Sequence, residues 1–307
     1  MIRLGLCCLF IREPIRFRTA TARVLARLPR EAQLSRLAGL ASDNAAALRD
    51  ALDYCRRSGI GAFRVNSQIL PLRTHPLLGY RVEELPGSPA IRAGFQACGA
   101  MARAHGLRLT FHPDQFVLLS SPRAEVTRAS IADLEYQAEV ADWIGADVIN
   151  IHAGGAYGDK PAALARLAAV WRQLPAAIRR RLTLENDDRS YTPLDLLPFC
   201  EAHRIPLVYD VHHHRCLPDG CSVAEVTRRA AATWNREPVF HLSSPRDGWR
   251  GPHPEHHHDF IGRGDFPDAW RDLTLTVEIE AKAKEQAVAR LRRDLLRRGV
   301  DVYPPPH

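Results

Sequence analysis

Short apolar and β-branched segments alternate along the chain with longer segments of helical periodicity. The short segments predict eight strands, at residues 3–6, 62–65, 107–111, 148–151, 182–184, 207–209, 239–242 and 273–279. The longer segments carry apolar residues at i, i+3 and i+4, and they predict helices at residues 42–57, 89–105, 126–144, 161–173, 193–203 and 222–234. Strands and helices therefore alternate from one end of the chain to the other.

This order of elements predicts an α/β protein with a single (β/α)8 TIM barrel, a fold that typically takes about 250 residues. We expect one domain over residues 1–307, with the barrel core at about 1–285. A basic helix at about 282–298 would close the barrel or contact phosphate, with Lys282 and Lys284 as candidate phosphate contacts. Residues 246–259 are rich in Gly, Pro and His and predict a long loop after the seventh strand.

Several helix ends can be read from local residue types. Ser42-Asp43-Asn44 predicts the start of the first long helix, since these residues favour N-caps. Ser58-Gly59 and His105-Gly106 predict helix ends, and Pro161 and Pro193 predict first turns.

Charge and cysteine content narrow the class of protein. The net charge of +7 attracts anions, among which nucleic acid is a candidate partner, although a basic solvated surface would give the same value. The seven scattered cysteines and the absence of a signal-peptide pattern favour a reducing cytoplasm over a disulfide framework. No segment approaches the roughly 20 apolar residues of a membrane span. We expect a cytoplasmic monomer with no membrane partner.

Metal-ligand residue types recur at the ends of six successive predicted strands: His112, His152, Glu185, Asp210, His241 and Glu280. In barrel enzymes this end of the strands carries the active site. A lone histidine after a strand is usually an ordinary polar residue, but six such positions on one rim predict a metal cluster at the C-terminal face.

Loop histidines can extend this set. His212 or His213 follows Asp210 within a turn, His75 lies after the second strand, and His256, His257 and His258 lie in the long loop. The residues alone leave open which of them are ligands. Histidine and carboxylate without thiolate suits Mn²⁺, Zn²⁺ or Fe²⁺, and the set is large enough for two or three ions. Glu185 and Glu280 are candidate bridges, and clustered ions of this kind are typical of phosphodiester hydrolysis.

Six motifs resemble those of the ultraviolet damage endonucleases, whose relatives include the apurinic-site endonuclease barrels. They are residues 111–116 (FHPDQF), 151–158 (IHAGGAYG), 184–187 (LEND), 210–213 (DVHH), 240–244 (FHLSS) and 280–285 (EAKAKE). The similarity runs from Arg3 to about Glu285. The motifs are long, ordered and spread over the whole predicted barrel, which argues against a chance match.

Residue by residue, the resemblance implies nine metal ligands: His75, His112, His152, Glu185, Asp210, His213, His241, His258 and Glu280. It favours His213 over His212, and His258 over His256 and His257. Among the ligands, Glu185, Glu280 and His241 are the predicted catalytic residues, and Mn²⁺ is the favoured ion. The resemblance also implies that Gln115 and Phe116 enter the duplex and fill the gap left by an extruded lesion.

The hypothesis is a hydrolase that nicks double-stranded DNA 5′ to UV photoproducts and other distorting lesions, which initiates excision repair. One alternative keeps the barrel and its metals but acts on abasic-site DNA or on a sugar, as in the xylose-isomerase-like barrels. Another is a damage-binding protein without turnover.

Three positions depart from the family pattern. Val239 stands where the family has a lysine that is associated with a modification near the metals. Leu6 and Phe10 stand where the family has Tyr and Asn near the DNA or the metals. The expectation for the fold and metal cluster is therefore stronger than that for lesion recognition.

Overall fold

A computed structural model describes residues 1–304 of the chain. Its parallel strands close into an eight-stranded barrel, which confirms the predicted TIM barrel. The barrel strands are β1 (Ile2–Cys7), β2 (Ala62–Val65), β3 (Arg108–Phe111), β4 (Val148–His152), β5 (Leu182–Glu185), β6 (Leu207–Asp210), β7 (Val239–Leu242) and β8 (Leu275–Ile279). All eight predicted strands are present, with bounds shifted by at most two residues at either end.

The first and last strands close the barrel. Gly5 of β1 is in register with Ala62 of β2 on one side and with Glu278 of β8 on the other. A Cβ at Gly5 would lie 3.3 Å from Cγ of Glu278, so glycine suits this close approach inside the barrel. A short ninth strand, β9 (Val302–Tyr303), pairs in parallel with the start of β1.

Helices lie between the strands and cover the outer face of the barrel. They are α1 (Ala22–Leu25), α2 (Arg30–Arg57), α3 (Ser88–Ala104), α4 (Ala124–Ile144), α5 (Lys160–Gln173), α6 (Ala176–Arg179), α7 (Pro193–His203), α8 (Val211–Cys216), α9 (Val223–Ala232) and α10 (Lys284–Arg297). Among residues 1–304, no helix combines the length and apolar character that a membrane crossing needs.

The predicted start of the first long helix is wrong, because α2 begins at Arg30 and the Ser42-Asp43-Asn44 segment lies inside it. Asn44 is buried, and its side chain does not cap the helix. Its Oδ1 accepts a hydrogen bond from the Arg18 backbone N–H at 2.6 Å, and its Nδ2 donates to the Ile69 carbonyl at 2.8 Å. These tertiary hydrogen bonds explain why a polar residue is buried at this position of the helix.

The other predicted helix ends are confirmed. Helices α2 and α3 end at the predicted stops, where each glycine adopts a positive φ: Ser58-Gly59 and His105-Gly106. The predicted prolines, Pro161 and Pro193, lie in the first turns of α5 and α7.

Successive side chains of each strand point alternately toward the helices and toward the interior of the barrel. On β8, Leu275, Val277 and Ile279 belong to the apolar core under the helices. Glu278, between them, reaches side chains of other strands inside the barrel. Since Glu280 follows with the same two-residue period, it reaches the interior at the C-terminal mouth of the barrel.

The basic C-terminal helix is present as α10, slightly shorter than predicted. Val288, Leu291 and Leu295 on one face are buried in the core, and Glu285 in its first turn accepts hydrogen bonds from the backbone of Ile11 and Arg12. The helix therefore packs against the barrel and anchors the segment after β1.

Candidate metal centre

Three overlapping groups of ligand-type side chains lie at the C-terminal mouth of the barrel. Within each group one ligand atom per residue lies within 4.8 Å of the others: His112, His152 and Glu185; Glu185, Asp210 and His213; and Asp210, His241 and Glu280. Seven of the nine ligands implied by the resemblance are thus brought together. Glu185 and Asp210 each belong to two groups and connect the three into one cluster.

Glu185, at the end of β5, is the centre of this cluster. Its Oε2 lies 2.9 Å from Nε2 of His112 and 4.0 Å from Nε2 of His152. Its Oε1 lies 3.0 Å from Nδ1 of His241 and 3.5 Å from Nδ1 of His213. The two oxygens of this carboxylate thus face different histidines.

Asp210 ends β6 and caps helix α8. Its Oδ1 accepts a hydrogen bond from the backbone N–H of His213 at 2.8 Å, which is the usual N-cap interaction. Its Oδ2 is buried and accepts no hydrogen bond from any residue of the described chain. This oxygen lies 3.5 Å from Nδ1 of His213 and 4.0 Å from Nδ1 of His241. A buried carboxylate oxygen without a donor fits a cation site.

A buried network holds helix α8 in place. Nδ1 of His214 lies 2.7 Å from the Tyr209 hydroxyl, and its Nε2 lies 2.9 Å from Oδ1 of Asp219. The preceding residue, His213, lies in the cluster instead.

The electrostatics of the cluster favour charged carboxylates. Burial alone raises the pKa of Glu185, but the adjacent His241, His152 and His112 lower it well below its usual value. Burial also opposes ionisation of Glu280, and Arg64 and His241 lower its pKa well below its usual value. Both groups are therefore anionic at neutral pH, as metal ligands must be.

The pKa values of the cluster histidines shift in opposite directions. Burial lowers the pKa of His213, but Asp210, Glu185 and Glu280 outweigh this effect and raise it to about 9. The pKa of His241 is likewise raised well above its usual value, since the carboxylates outweigh its burial. Burial lowers the pKa of His152. Without a bound cation, protons on His213 and His241 thus compensate the cluster's negative charge.

Two implied ligands lie outside the three groups. His75 sits in a turn, where its Nδ1 accepts from the backbone N–H groups of Leu77 and Leu78, both at 3.2 Å. It lines a separate cavity of about 330 Å³ together with Asp114 and Asp133.

His258 is exposed, and its Nδ1 accepts from the Phe260 backbone N–H at 2.9 Å. The preceding residue, His257, turns inward: its Nδ1 lies 3.9 Å from Oε2 of Glu280. The geometry thus departs from the expected choice among the loop histidines, and His257 is the one that adjoins the cluster. The backbone N–H of His258 donates a hydrogen bond to the Ser244 carbonyl. This bond holds the backbone of the loop in the conformation in which the His257 side chain turns inward and the His258 side chain turns outward.

His212 is fully buried beside the cluster. Its ring centroid lies 5.1 Å from those of His257 and Trp249, and neither of its ring nitrogens has a hydrogen-bond partner among the described residues. Burial lowers its pKa, so the ring is neutral.

A further group of ligand-type residues, His253, Glu255 and His256, lies in the same loop but is largely exposed. It shares no residue with the cluster, and an exposed group of this kind is common without an ion.

The loop after β3 carries the pair implied to probe DNA. Gln115 is exposed, and Phe116 is 72% exposed. Asp114 accepts from the backbone N–H of Phe116 at 3.2 Å, which supports the turn at the loop tip. An aromatic side chain with so little packing is available for contact with a ligand.

The candidate phosphate contacts differ in exposure. Lys282 is exposed and lines a cavity of about 480 Å³ with Arg246, His257 and Asp259. Lys284 is half-buried at the start of α10. Lys282 and Arg246 thus line the same cavity as His257, which adjoins the cluster.

The three departures from the family pattern are all buried and apolar. Phe10 packs against Tyr54 and Phe63, with ring centroids 5.3 and 6.0 Å away. Leu6 is completely buried in the core. Val239 packs with other valines inside the barrel. None of them provides a polar contact to the site.

Three polar residues that were not predicted from the sequence contact the cluster from inside the barrel. Asn150 donates from Nδ2 to Oε2 of Glu185 at 2.5 Å, Arg64 donates to Glu280, and Glu278 lies 3.2 Å from His241. Two of them could have been found, since Asn150 and Glu278 precede the candidate ligands His152 and Glu280 by two residues and so share their face of the strand.

Known proteins resemble the chain over nearly its full length. The sequence model of the family described as UV-endonuclease UvdE matches residues 2–303. The UV DNA damage endonuclease of Deinococcus radiodurans is 39% identical over 300 residues, which cover 94% of each chain. The UV DNA damage endonuclease of Bacillus velezensis is 34% identical over 94% of this chain and 91% of its own.

Two solved structures also resemble the structure of this chain. The crystal structure of SacUVDE superposes with a TM-score of 0.88 at 26% identity, over 98% of this chain and all of the other. Endonuclease IV from Thermus thermophilus shares the fold, with a TM-score of 0.61 at 18% identity over 96% of this chain and 99% of its own.

Proposed function

Since the chain belongs to the UV-endonuclease UvdE family and is a DNA repair endonuclease, we propose that it uses divalent metal ions to nick the DNA strand 5′ to distorting lesions. The proposed lesions are, first of all, UV photoproducts. The metal dependence and the 5′ position of the cut are its two specific claims, and each can be tested separately.

The observation that carries the metal dependence is the buried Oδ2 of Asp210, which accepts no hydrogen bond within the described chain and faces the nitrogens of His213 and His241. A buried anionic oxygen needs a cationic or hydrogen-bonding partner. Histidine and carboxylate oxygens surround this point, with no thiolate among them, and this donor set suits Mn²⁺, Zn²⁺ or Fe²⁺. Among these ions we propose Mn²⁺, the ion that the family resemblance favours.

Seven residues are proposed to hold two or three ions: His112, His152, Glu185, Asp210, His213, His241 and Glu280. Glu185 is the proposed bridge, because its two oxygens face different histidines. We add His257 to this set in place of His258, because His257 adjoins Glu280. His75 is retained as an outer contact near the β3 loop rather than as a member of the central cluster.

Bound divalent ions would supply an activated water and would neutralise the charge that develops on the phosphate during hydrolysis. The protein's own part is to hold the ligands in a fixed arrangement. Asn150 orients Glu185 by donating to its Oε2. Asp210 uses one oxygen to cap α8 and so holds His213 in place, which leaves the other oxygen for the cluster.

Recognition of the duplex is proposed to rest on groups outside the cluster. Lys282 and Arg246 line the cavity next to His257 and are the proposed phosphate contacts. Gln115 and Phe116 project from the β3 loop, and an amide with an aromatic ring can replace the pairing and stacking that a flipped lesion gives up.

An end-labelled duplex tests the proposal directly. Separate duplexes would carry one pyrimidine dimer, one (6-4) photoproduct or one abasic site, with Mn²⁺ in one set and EDTA in the other. We expect a cut immediately 5′ to each photoproduct that depends on Mn²⁺. Equal cutting in EDTA would refute the metal dependence, and a cut only at the abasic site would refute the proposed lesion class.

A further inference from the structure

A second layer of inward-facing side chains lies directly beneath the candidate ligands. It consists of the residues two positions earlier on the same six strands: Thr110, Asn150, Thr183, Val208, Val239 and Glu278. Interiors of TIM barrels are dominated by branched apolar residues. Here four of the six positions are polar, and one of the four is a carboxylic acid.

Glu278 is 2% exposed and has three polar neighbours. Its Oε1 accepts a hydrogen bond from the Thr110 hydroxyl. Its Oε2 lies 3.2 Å from Nε2 of His241 and 3.4 Å from Nη1 of Arg64. A buried carboxylate is costly unless such partners compensate it.

The contact with His241 is fixed by the sheet itself. His241 of β7 and Glu278 of β8 are directly paired in the parallel register. On its own strand, the residue beneath His241 is Val239, which packs with Val148 and Val208 and cannot form a hydrogen bond. Glu278 of the neighbouring strand thus lies 3.2 Å from Nε2 of His241 on the inner side, although this buried nitrogen forms no hydrogen bond with any described residue.

The two nitrogens of His241 face different surroundings. Nε2 faces Glu278 without a hydrogen bond, while Nδ1 forms a hydrogen bond with Oε1 of Glu185 at 3.0 Å and lies 3.5 Å from Oε1 of Glu280. A metal ion in the cluster would have to take the place of the proton on Nδ1. A neutral imidazole carries one N–H donor and one lone pair, and the partner of the first nitrogen decides which one the second presents.

We propose that Glu278 is a positioning residue for the metal centre: when metal is bound, it accepts a hydrogen bond from the Nε2–H of His241, so that the lone pair on Nδ1 faces the cluster. This inference rests on the proposed metal site. Histidine ligands of metals commonly donate their other N–H to a carboxylate, and that contact fixes both the tautomer and the orientation of the ring.

A purely structural role for Glu278 would be to compensate the charge of Arg64. Arg64 also donates to Glu280, so it keeps one carboxylate partner when Glu278 is replaced. The two roles differ in what they predict for metal binding: a structural role affects stability alone, whereas a positioning role affects the affinity of the folded protein for metal.

The experiment compares Glu278→Gln and Glu278→Met with Glu237→Gln. Glu237 is also a partly buried carboxylate that bonds an arginine and a threonine, Arg3 and Thr276, but it lies outside the cluster. Mn²⁺ affinity is measured by equilibrium dialysis and metal analysis, with circular dichroism to verify the fold. The Met variant should bind Mn²⁺ about 10- to 100-fold more weakly, the range seen when such outer contacts are lost.

The Gln variant keeps a hydrogen-bond acceptor and should stay within a few-fold of wild type, while Glu237→Gln should match wild type. A folded Met variant with wild-type affinity would overturn the inference. If the wild-type protein itself binds neither Mn²⁺ nor Zn²⁺, the proposed function fails instead, so the two failures can be distinguished.

A second readout needs no folded variant of Glu278. Long-range ¹⁵N correlation spectra of the histidine-labelled, Zn²⁺-loaded wild-type protein report the tautomer of His241, assigned with a His241→Gln sample. A proton on Nε2 is the expected result. A proton on Nδ1 would overturn the inference even if the Met variant failed to fold.

Discussion

Oε1 of Glu185 lies 3.0 Å from Nδ1 of His241, and both side chains are almost completely buried. Neighbouring histidines surround the other oxygen of the same carboxylate, so Glu185 connects two parts of the cluster. A group in this position should matter more for the reaction than for the binding of DNA, because phosphate contacts dominate the affinity of proteins for duplex DNA.

Glu185→Gln should therefore reduce cleavage of a photoproduct duplex by at least about 10²-fold, the loss typical of removing one group that stabilises transition-state charge. Binding of the same duplex should change little. Single-turnover cleavage and a gel-shift assay measure the two effects. Glu201→Gln, which alters an exposed carboxylate paired with Arg229, serves as the control and should cleave normally. Unchanged cleavage by Glu185→Gln would exclude the bridging role.

Metal binding should strengthen as the pH rises. The pKa of His213 is raised to about 9 and that of His241 is raised well above its usual value, so both rings are protonated at neutral pH in the metal-free protein. A ligand histidine must lose this proton. Between about pH 6.5 and 9, Mn²⁺ affinity should increase by up to about tenfold per pH unit for each proton displaced.

Calorimetry in two buffers of different ionisation enthalpy counts the protons released, and at least one is expected at pH 7. The stability of the metal-free protein follows the opposite trend with pH. The contribution of protonated His213 to the free energy of unfolding is fully present below about pH 6.5. It is lost as the pH rises through about 9. His203→Gln, on helix α7, should leave both trends unchanged. A Mn²⁺ affinity independent of pH would contradict the assignment of these histidines as ligands.

Strand periodicity explains why so much of this site could be read from the sequence. His152 and Glu185 end apolar β-branched segments, and the ends of parallel strands meet on one face of a barrel. The same period would have identified Glu278 from its spacing to Glu280. Arg64 gave no such signal, because its contact with Glu280 spans the interior between β2 and the end of β8.

The ligand in the loop after β7 and the start of helix α2 could not be predicted from strand periodicity. In the loop after β7 no periodicity distinguishes His257 from His258, and a backbone hydrogen bond from His258 to Ser244 decides which side chain turns inward. Asn44 has the residue type of a helix cap, yet it lies inside α2, and its side chain bonds to the backbone of Arg18 and Ile69. Contacts distant in sequence determine both outcomes.

His257 and His258 offer a matched pair of substitutions. His257→Gln removes the side chain that lies 3.9 Å from Glu280, whereas His258→Gln alters an exposed ring bonded to the backbone of Phe260. We expect the first to lower Mn²⁺ affinity at least about tenfold and the second to leave it within a few-fold of wild type. Metal analysis after dialysis measures the difference. The reverse order would show that His258 is the ligand and that the loop changes direction when metal binds.

Gln115 and Phe116 should control the choice between damaged and intact duplex rather than the chemistry. Both side chains are exposed, so replacing both by alanine should leave the fold and the Mn²⁺ affinity unchanged. Stacking of an aromatic ring on a base is worth about 1–3 kcal/mol, so the double variant should lose roughly tenfold or more of its preference for the photoproduct. The ratio of kcat/KM values on damaged and intact duplexes measures this preference.

Leu77→Ala is the matched control for that double variant, since Leu77 is a large apolar residue that is 87% exposed on a different loop. It should retain wild-type selectivity if the effect belongs to the β3 loop rather than to exposed apolar surface in general. Phe116→Tyr should also retain it, because the ring is kept. A double variant that still prefers the photoproduct as strongly as wild type would exclude the probe role and would assign lesion recognition to bending of the duplex against the basic surface near Lys282 and Arg246.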